Sequence, residues 1–477
     1  MSRHHFFHTV LLILAQLVIL TPPLFAQWEP IVRLTYNDSE SILGFTGSRV
    51  IGTNGDTLNI VWEDDRDKGG SNTGEIYFKQ SFNGGLNWQP DTRLTYDSAW
   101  SQFPSIAVSG PFIHVFWDDN RTGNSEIYYK RSSDSGVTWS SDLRLTFDTT
   151  FSKWPSATIW GSNVYLVWGD PWNSNQNQNE IYFKKSTDSG FSWSQDTMLS
   201  RSQGEYHAYF PCITAWDSCL YLVWEQNVDG FTSYVFYKRS TNAGRTWSPD
   251  TQLNYRSEGL GPCISVSDSI VHIVWRDRQT SSMGVHYLRS TNFGRTWQSE
   301  RQLTQSFLAW NPSIFASRSF VHLSCYDFNG PRIHYLSSSN NGSNWSPDTI
   351  LTPLPATSYF PSISASGSIV HLVWYDYRDG NSEIYYMRNP TGNIGVAEQS
   401  GQGPTVKSQG YKVLPNPFAS FATLPGHEAE RFSLYDISGR KVGTYKGDRI
   451  GEGLAPGVYF VRGEPSTSPP VRIVKVR

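Results

Sequence analysis

Cysteine is scarce in this chain, with Cys212, Cys219, Cys263 and Cys325 the only four in 477 residues. So few exclude a small scaffold stapled by disulfides in place of a core. Cys212 and Cys263 stand at equivalent points of successive stretches, each just after a proline. Either a bridge or two buried thiols suits that placement. Positive charge is also thin. Lys and Arg number 39 against 42 Asp and Glu, a net charge of −3, so there is no basic footprint for nucleic acid. Helix formers are few. No sequence marks a nucleophile elbow, a zincin helix, a phosphate loop or a Cys-x-x-Cys pair. No cofactor and no metal are expected. What abounds is aromatic residues at 15%, with 39 Gly and 26 Pro, a balance that predicts many short strands joined by tight turns.

Apolar runs are short everywhere except near the start. Arg3, the run Val10 to Leu20 broken only by Gln16, then Pro22, Pro23 and Ala26 read as a secretory signal over residues 1–26. Its apolar part is too short to span a bilayer, and no later segment is apolar enough to do so. The expected location is extracellular or on the outer cell surface, as a monomer.

An internal repeat dominates the rest. Ser-x-Asp/Asn-x-Gly-x-x-Trp occurs six times at a spacing near 50 residues: Ser81 to Trp88, Ser132 to Trp139, Ser186 to Trp193, Ser240 to Trp247, Ser290 to Trp297 and Ser338 to Trp345. Four short strands accompany each turn. In the second copy Pro104 is expected to open the first, with Ile113 to Trp117, Glu126 to Lys130 and Arg144 to Thr146 as the others. The third strand recurs seven times, at Ile76, Ile127, Ile181, Val235, Val285, Ile333 and Ile384. The fourth also recurs seven times, centred on Leu34, Leu94, Leu145, Leu199, Leu253, Leu303 and Leu351. Leu34 precedes the first complete set and nothing follows the last. The phase predicts an all-β chain whose seven-bladed β-propeller, residues 27–390, is closed by its N-terminal strand. It also explains why a seventh turn is missing.

The turns resemble the Asp box of the sialidase-type (BNR) repeat family over roughly residues 28 to 390. The resemblance implies surface turns away from the ligand face. The residues suit a structural role. Asp134 and Asp188, and Asn83, Asn242, Asn292 and Asn340, accept turn N–H groups, while Trp88, Trp139, Trp193, Trp247, Trp297 and Trp345 pack between blades.

The opposite face carries the ligand-binding candidates. Trp154, Phe103, Phe210 and Phe360 each precede a proline, Trp310 lies one residue earlier, and Trp100, Tyr206, Tyr209 and Tyr359 add further rings. Flat rings at a concave mouth stack on sugars or grip peptide side chains; the alternative is wedging between blades. The pattern Trp-x-Asp-x-Arg adds Arg66, Arg121 and Arg378. An Asp and an Arg two apart on a strand end point to the same side, so they pair with each other or with neighbouring blades, or else the arginines select an anionic group. His114, His272, His322 and His371 recur at one apolar strand position and read as core or channel residues.

Sialidases resemble one another in an arginine triad, a Tyr–Glu pair, an acidic residue and an Arg-Ile-Pro motif. Arg-Ile-Pro is absent here, and Arg33 belongs instead to a repeated Arg-Leu-Thr. The leading expectation is therefore a non-catalytic module that binds glycan or extracellular protein. A sialidase-like hydrolase or a polysaccharide lyase is the alternative, and no catalytic residue is assigned.

Residues 391–410 shift to Gly, Gln, Ser and Asn, a linker composition. Beyond it, residues 411–477 read as a small β-sandwich. Pro415-Asn416-Pro417, Tyr435-Asp436 with Gly439-Arg440, Pro456-Gly457-Val458-Tyr459 and a basic tail resemble the C-terminal sorting domain of type IX secretion. That resemblance implies secretion machinery as a partner.

Overall fold

The computed structural model describes residues 28–44, 47–67, 74–171, 179–201, 207–229, 231–255, 258–278, 284–392, 420–423, 430–436, 440–463 and 471–475. The proposed signal segment, most of the linker and Tyr206 lie outside them. Among the described residues every regular element is a strand. Two compact units result, residues 1–396 and 397–477.

The second strand shows why the repeat folds as a blade. Phe112–Asp119 is buried on both faces after its first residue, because each sheet is covered by a neighbour on either side. Its sequence is accordingly a near-continuous apolar run instead of an alternating one. Trp62, Trp117, Trp168, Trp224, Trp275 and Trp374 fill one position of this strand and are fully buried; the remaining blade places Cys325 there. Cys325 is thus a core residue. Cys212 and Cys263 are unbridged, with their sulfurs 3.9 Å apart across adjacent blades.

The seven expected blades are present, and the seventh closes as the phase predicts. Val32–Arg33 is the outer strand of a sheet whose other three strands are Glu383–Asn389, Ile369–Asp376 and Ser358–Ser366. Val32 pairs with Tyr386 and Arg33 with Tyr385. Glu29 and Arg388 form a two-pronged ion pair beside the joint.

The inner strands begin earlier than expected. Ser101–Ser109 runs through Pro104, with a bulge between Gln102 and Ser105. Phe103 sits there at φ 54°, and Trp154, Phe210, Gly261, Asn311 and Phe360 repeat it at 47–59°. Proline has no N–H for the ladder, so it occupies the place where pairing is already broken.

Blade 1 lacks this bulge. Ser41 pairs with Asp64, five residues further along than the equivalent pairing of Ser101 with Asp119. The extra length carries Gly47–Arg49 across the central channel. Ser156 in blade 3 donates to the Gly47 carbonyl, Ile106 in blade 2 to the Arg49 carbonyl. The Arg49 guanidinium reaches the Ile264 carbonyl in blade 5 at 2.9 Å.

The Asp box ties each blade to the one before. Asp134 accepts the Ser132 hydroxyl at 2.7 Å and the Thr138 N–H at 2.9 Å. Asn242 accepts the equivalent pair at 3.0 and 2.9 Å, so Asn preserves the turn. The box tryptophans Trp88, Trp139, Trp193, Trp247, Trp297 and Trp345 meet a ring on the preceding blade edge-on, at 5.0–5.3 Å. Blade 7 has no box, yet Tyr335 of blade 6 is not left bare. Trp28 packs edge-on against it at 4.9 Å.

The described part of the C-terminal unit is a four-stranded antiparallel sheet, Lys441–Lys446, Arg431–Asp436, Gly457–Gly463 and Val471–Lys475 in spatial order. Phe432, Leu434, Tyr459 and Val461 form its core with Ala422 and Ile450, which bridge beside it.

Candidate functional site

The loops joining second to third strands and fourth to first strands share one face, as expected. The arginines there are held within their own blades. Arg66 grips Asp64 through Nε and Nη2 at 2.8 and 2.6 Å and reaches Asp91 at 2.7 Å. Arg121 repeats this with Asp119 and Asp142. Arg378 pairs with Asp376 at 2.5 Å. Each lies over a tyrosine of the third strand, Tyr77, Tyr128 or Tyr385. The acid also accepts the blade tryptophan's N–H and the first-strand serine, as Asp119 does from Trp117 and Ser101. Of the two expected pairings, the one between Asp and Arg of the same blade is formed, and the ring of inter-blade salt bridges is not, among the described residues. Acid and base two residues apart close on each other bidentately before either reaches a neighbour.

What differs between blades lies one residue before that acid. The position after the blade tryptophan, or after Cys325, holds Glu63, Asp118, Gly169, Glu225, Arg276, Tyr326 and Tyr375 in blades 1 to 7. Its first-strand partners are Ile42, Gln102, Lys153, Tyr209, Leu260, Trp310 and Tyr359. Paired residues project to the same side of a sheet, so these positions form a double ring near the channel mouth. Carboxyls dominate blades 1 and 2; rings and Arg276 dominate blades 4 to 7.

The aromatic side falls into two groups of touching rings. Trp154 contacts Tyr209 at 5.7 Å and Phe210 at 5.1 Å. Tyr359 lies edge-on to Tyr326 and stacks on Tyr375, at 5.2 and 5.6 Å. Trp310 is sandwiched: Phe328 stacks on it at 4.6 Å, and the Arg276 guanidinium lies 3.5 Å from its centroid. Two cavities adjoin here, of about 140 and 480 Å³, and both are lined by Arg276 and Trp310. Glu225 closes the smaller one and accepts the Gly261 N–H at 3.1 Å. Burial pushes its carboxyl above the usual range and lowers the proton affinity of Arg276, each partly offset by the other's charge. Trp100 stands elsewhere, its indole N–H donating to Glu63 across the blade 1–2 joint at 2.7 Å.

On the carboxyl side, proton affinity is raised. Glu63 is pushed up to about 8, chiefly by burial, against the pull of the Trp100 N–H. Asp118 is raised well above its usual range, again by burial first, with Lys153 opposing; one oxygen accepts from Gln102 at 3.0 Å and the other has no partner among the described residues. For Glu63 the stability consequence has a definite sign. The unfolded chain releases this proton near pH 4.5 while the folded chain holds it to about 8. The folded state therefore loses ground as pH rises between those values. Glu63→Gln is expected to match the parent near pH 4.5 and to exceed it by roughly 4 kcal/mol at pH 8. Urea denaturation at the two pH values measures this, and an equal difference at both would refute it.

The histidines belong to the core, as one of their two expected readings had it. Nδ1 of His114, His272, His322 and His371 meets a buried tyrosine hydroxyl at 2.7–2.9 Å. Burial holds His114, His272 and His371 near 3 and so uncharged. Among the described residues no three His, Cys, Asp or Glu gather as metal ligands would.

The sequence reading named Tyr209, Trp310 and Tyr359 but missed Glu63, Asp118, Glu225, Arg276, Tyr326 and Tyr375. Their signal is the middle residue of Trp-x-Asp, the point at which the repeat stops repeating.

The family described as BNR repeat-like domain matches residues 179–373. No curated protein shows significant sequence similarity. Among solved structures, the polysaccharide lyase Uly1 is similar at 9% identity and TM-score 0.52, over 76% of this chain and 99% of that one. Trypanosoma rangeli sialidase is similar at 13% identity and TM-score 0.45, over 62% and 56%. The endosialidase of phage phi92 is similar at 11% and 0.47, over 94% and 87%. At such identities the likeness to Uly1 is one of fold.

Proposed function

We propose that the protein is a non-catalytic, glycan-binding propeller acting outside the cell, with its ligand held over blades 4 to 6 of the loop face. The observation that carries this reading is Arg276 stacked on Trp310 where two cavities meet, with Glu225 beside them. The walls of the smaller cavity offer a sugar ring the apolar surfaces of Phe210, Phe360 and the Trp310 edge, and the flanking charged groups take its hydroxyls. Because the guanidinium is partly desolvated, an acidic sugar gains more from it than a neutral one. Export rests on residues 1–26 and on the sorting-domain resemblance of residues 411–477; mass spectrometry of the exported form tests both.

A glycan array is expected to show binding that Trp310→Ala or Arg276→Ala weakens at least tenfold, with thermal unfolding of each variant separating a lost contact from a lost fold. No glycan bound, or binding indifferent to both substitutions, would sink the proposal. A second reading, a propeller enzyme, is favoured by the raised proton affinity of the Glu63 and Asp118 carboxyls, which suits a general acid. The fold shared with a polysaccharide lyase is compatible with it. Turnover of a fluorogenic sialoside, or unsaturated product from an acidic polysaccharide, would establish that reading if Glu63→Gln or Asp118→Asn abolished it.

A further inference from the structure

The face bearing the Asp boxes has its own departures from the repeat. In blades 2, 5, 6 and 7 the inner strand ends there on Ser109, Ser267, Ser317 and Ser366. Blades 3 and 4 place Trp160 and Trp216 at that register instead. The two indoles lie 5.2 Å apart, tilted by 48°, and Trp160 is 37% exposed. The next residue has positive φ in all seven blades. Glycine fills it in four of them, but Asp217, Asp268 and Arg318 fill it in blades 4, 5 and 6 at φ 54–59°. A side chain there is conformationally costly, most of all for arginine. Three consecutive blades nevertheless keep a charged one beside the tryptophans.

These features surround or adjoin the mouth of a cavity of about 500 Å³, the lower half of the central channel. All seven inner strands line it, and Arg49 stands at its inner end. The same blade 1 segment that carries Arg49 separates this space from the loop face. The walls mix aliphatic groups such as Ile106 and Ile159 with hydroxyl-bearing ones such as Thr158 and Ser267.

We infer that this cup is a second ligand site and that it receives the terminal sugar of a glycan. The inference stands independently of the loop-face proposal. A cup of this volume is ligand-sized, and because its inner end is barred it admits a chain end but not the middle of a chain. Wall hydroxyls interleaved with aliphatic patches match the alternating O–H and C–H faces of a pyranose. A purely apolar ligand would strip water from those hydroxyls without replacing its hydrogen bonds. The indole pair supplies the stacking surface at the rim, and Asp268 and Arg318 supply polar contacts there.

The test uses the intact chain and substitutions that other blades already tolerate. Trp160→Ser and Trp216→Ser install the residue found at this register in four blades. A panel of methyl glycosides of glucose, galactose, mannose, N-acetylglucosamine and N-acetylgalactosamine, with their disaccharides, is titrated against tryptophan fluorescence and by saturation-transfer NMR. At least one probe is expected to bind. The double Trp160→Ser/Trp216→Ser variant should weaken it at least tenfold while Val137→Ser, an exposed side chain outside both sites, leaves it unchanged. A panel that gives no binding overturns the inference, as does binding that survives the double substitution. Binding lost only in Trp310→Ala also overturns it, while supporting the loop-face site. Thermal unfolding of each variant shows whether a loss is one of fold.

Discussion

Deleting Trp28–Thr35 is expected to abolish the cooperative unfolding of the propeller. The segment supplies the outer strand of blade 7 through Val32 and Arg33. It also supplies Leu34, 4% exposed in the core, and Thr35, whose hydroxyl accepts the Ile384 N–H. Arg33 neutralises the buried Glu383 at 2.7 Å. Without it a carboxylate with no exposed surface loses its charge partner, a change that costs about 3–5 kcal/mol by itself. The loss of strand pairing exposes the Glu383–Asn389 edge as well. Such terms together match the whole stability of a typical domain. The milder Trp28→Ala removes only the ring that covers Tyr335, and should cost about 2–3 kcal/mol. Circular dichroism melting and limited proteolysis separate the two. A truncated chain with a single sharp transition at the parental temperature would mean that blade 7 stands without its borrowed strand.

Gly190→Val is expected to lower stability by about 3–5 kcal/mol. Two causes add. Its φ of +80° is unsuited to a β-branched residue, and a Cβ there would lie 1.9 Å from the Tyr129 hydroxyl of the preceding blade. Moving that hydroxyl breaks its 2.7 Å contact with His114, whose ring is fully buried. Gly342 repeats the arrangement with Tyr287 and His272, so Gly342→Val should behave alike. Gly161→Ala is the control. It shares a positive φ of 61° but has nothing within 4 Å of a new Cβ, and about 1 kcal/mol is expected. Urea midpoints measure all three, and equal losses at Gly190 and Gly161 would show that inter-blade contact contributes nothing.

The propeller was legible because its punctuation is rigid. Ser, Asp or Asn, Gly and Trp must recur at fixed spacing for the turn to bond and the ring to reach the preceding blade. Closure was legible from the phase of Leu34 against Ile384. Trp28 was not, since it performs the job of a box tryptophan without belonging to a box. In the sequence proline marks the opening of the inner strands, because a residue without an N–H ordinarily bounds a ladder. The bulge lets pairing continue on both sides of it. The three arginines advertised themselves by repetition, and repetition was the sign of their intra-blade role. Glu63, Asp118, Glu225, Arg276, Tyr326 and Tyr375 went unseen for the opposite reason. They occupy a slot whose chemistry changes from blade to blade, and a search for regularity discards such a slot as noise. The barred channel was present only as five extra residues between Ser41 and Asp64.

Those five residues have a bearing on how many blades the ring contains. A propeller's hole widens with each blade added, and identical wedges tolerate more than one count. Here the hole is not empty. Gly47 lies against Pro211 and Cys212 of blade 4, while Arg49 spans to blade 5. A six-bladed closure would crush this segment, and an eight-bladed one would leave it short of the far wall. The insertion therefore works as a gauge, fixing the circumference from the inside while the repeats build it from the outside.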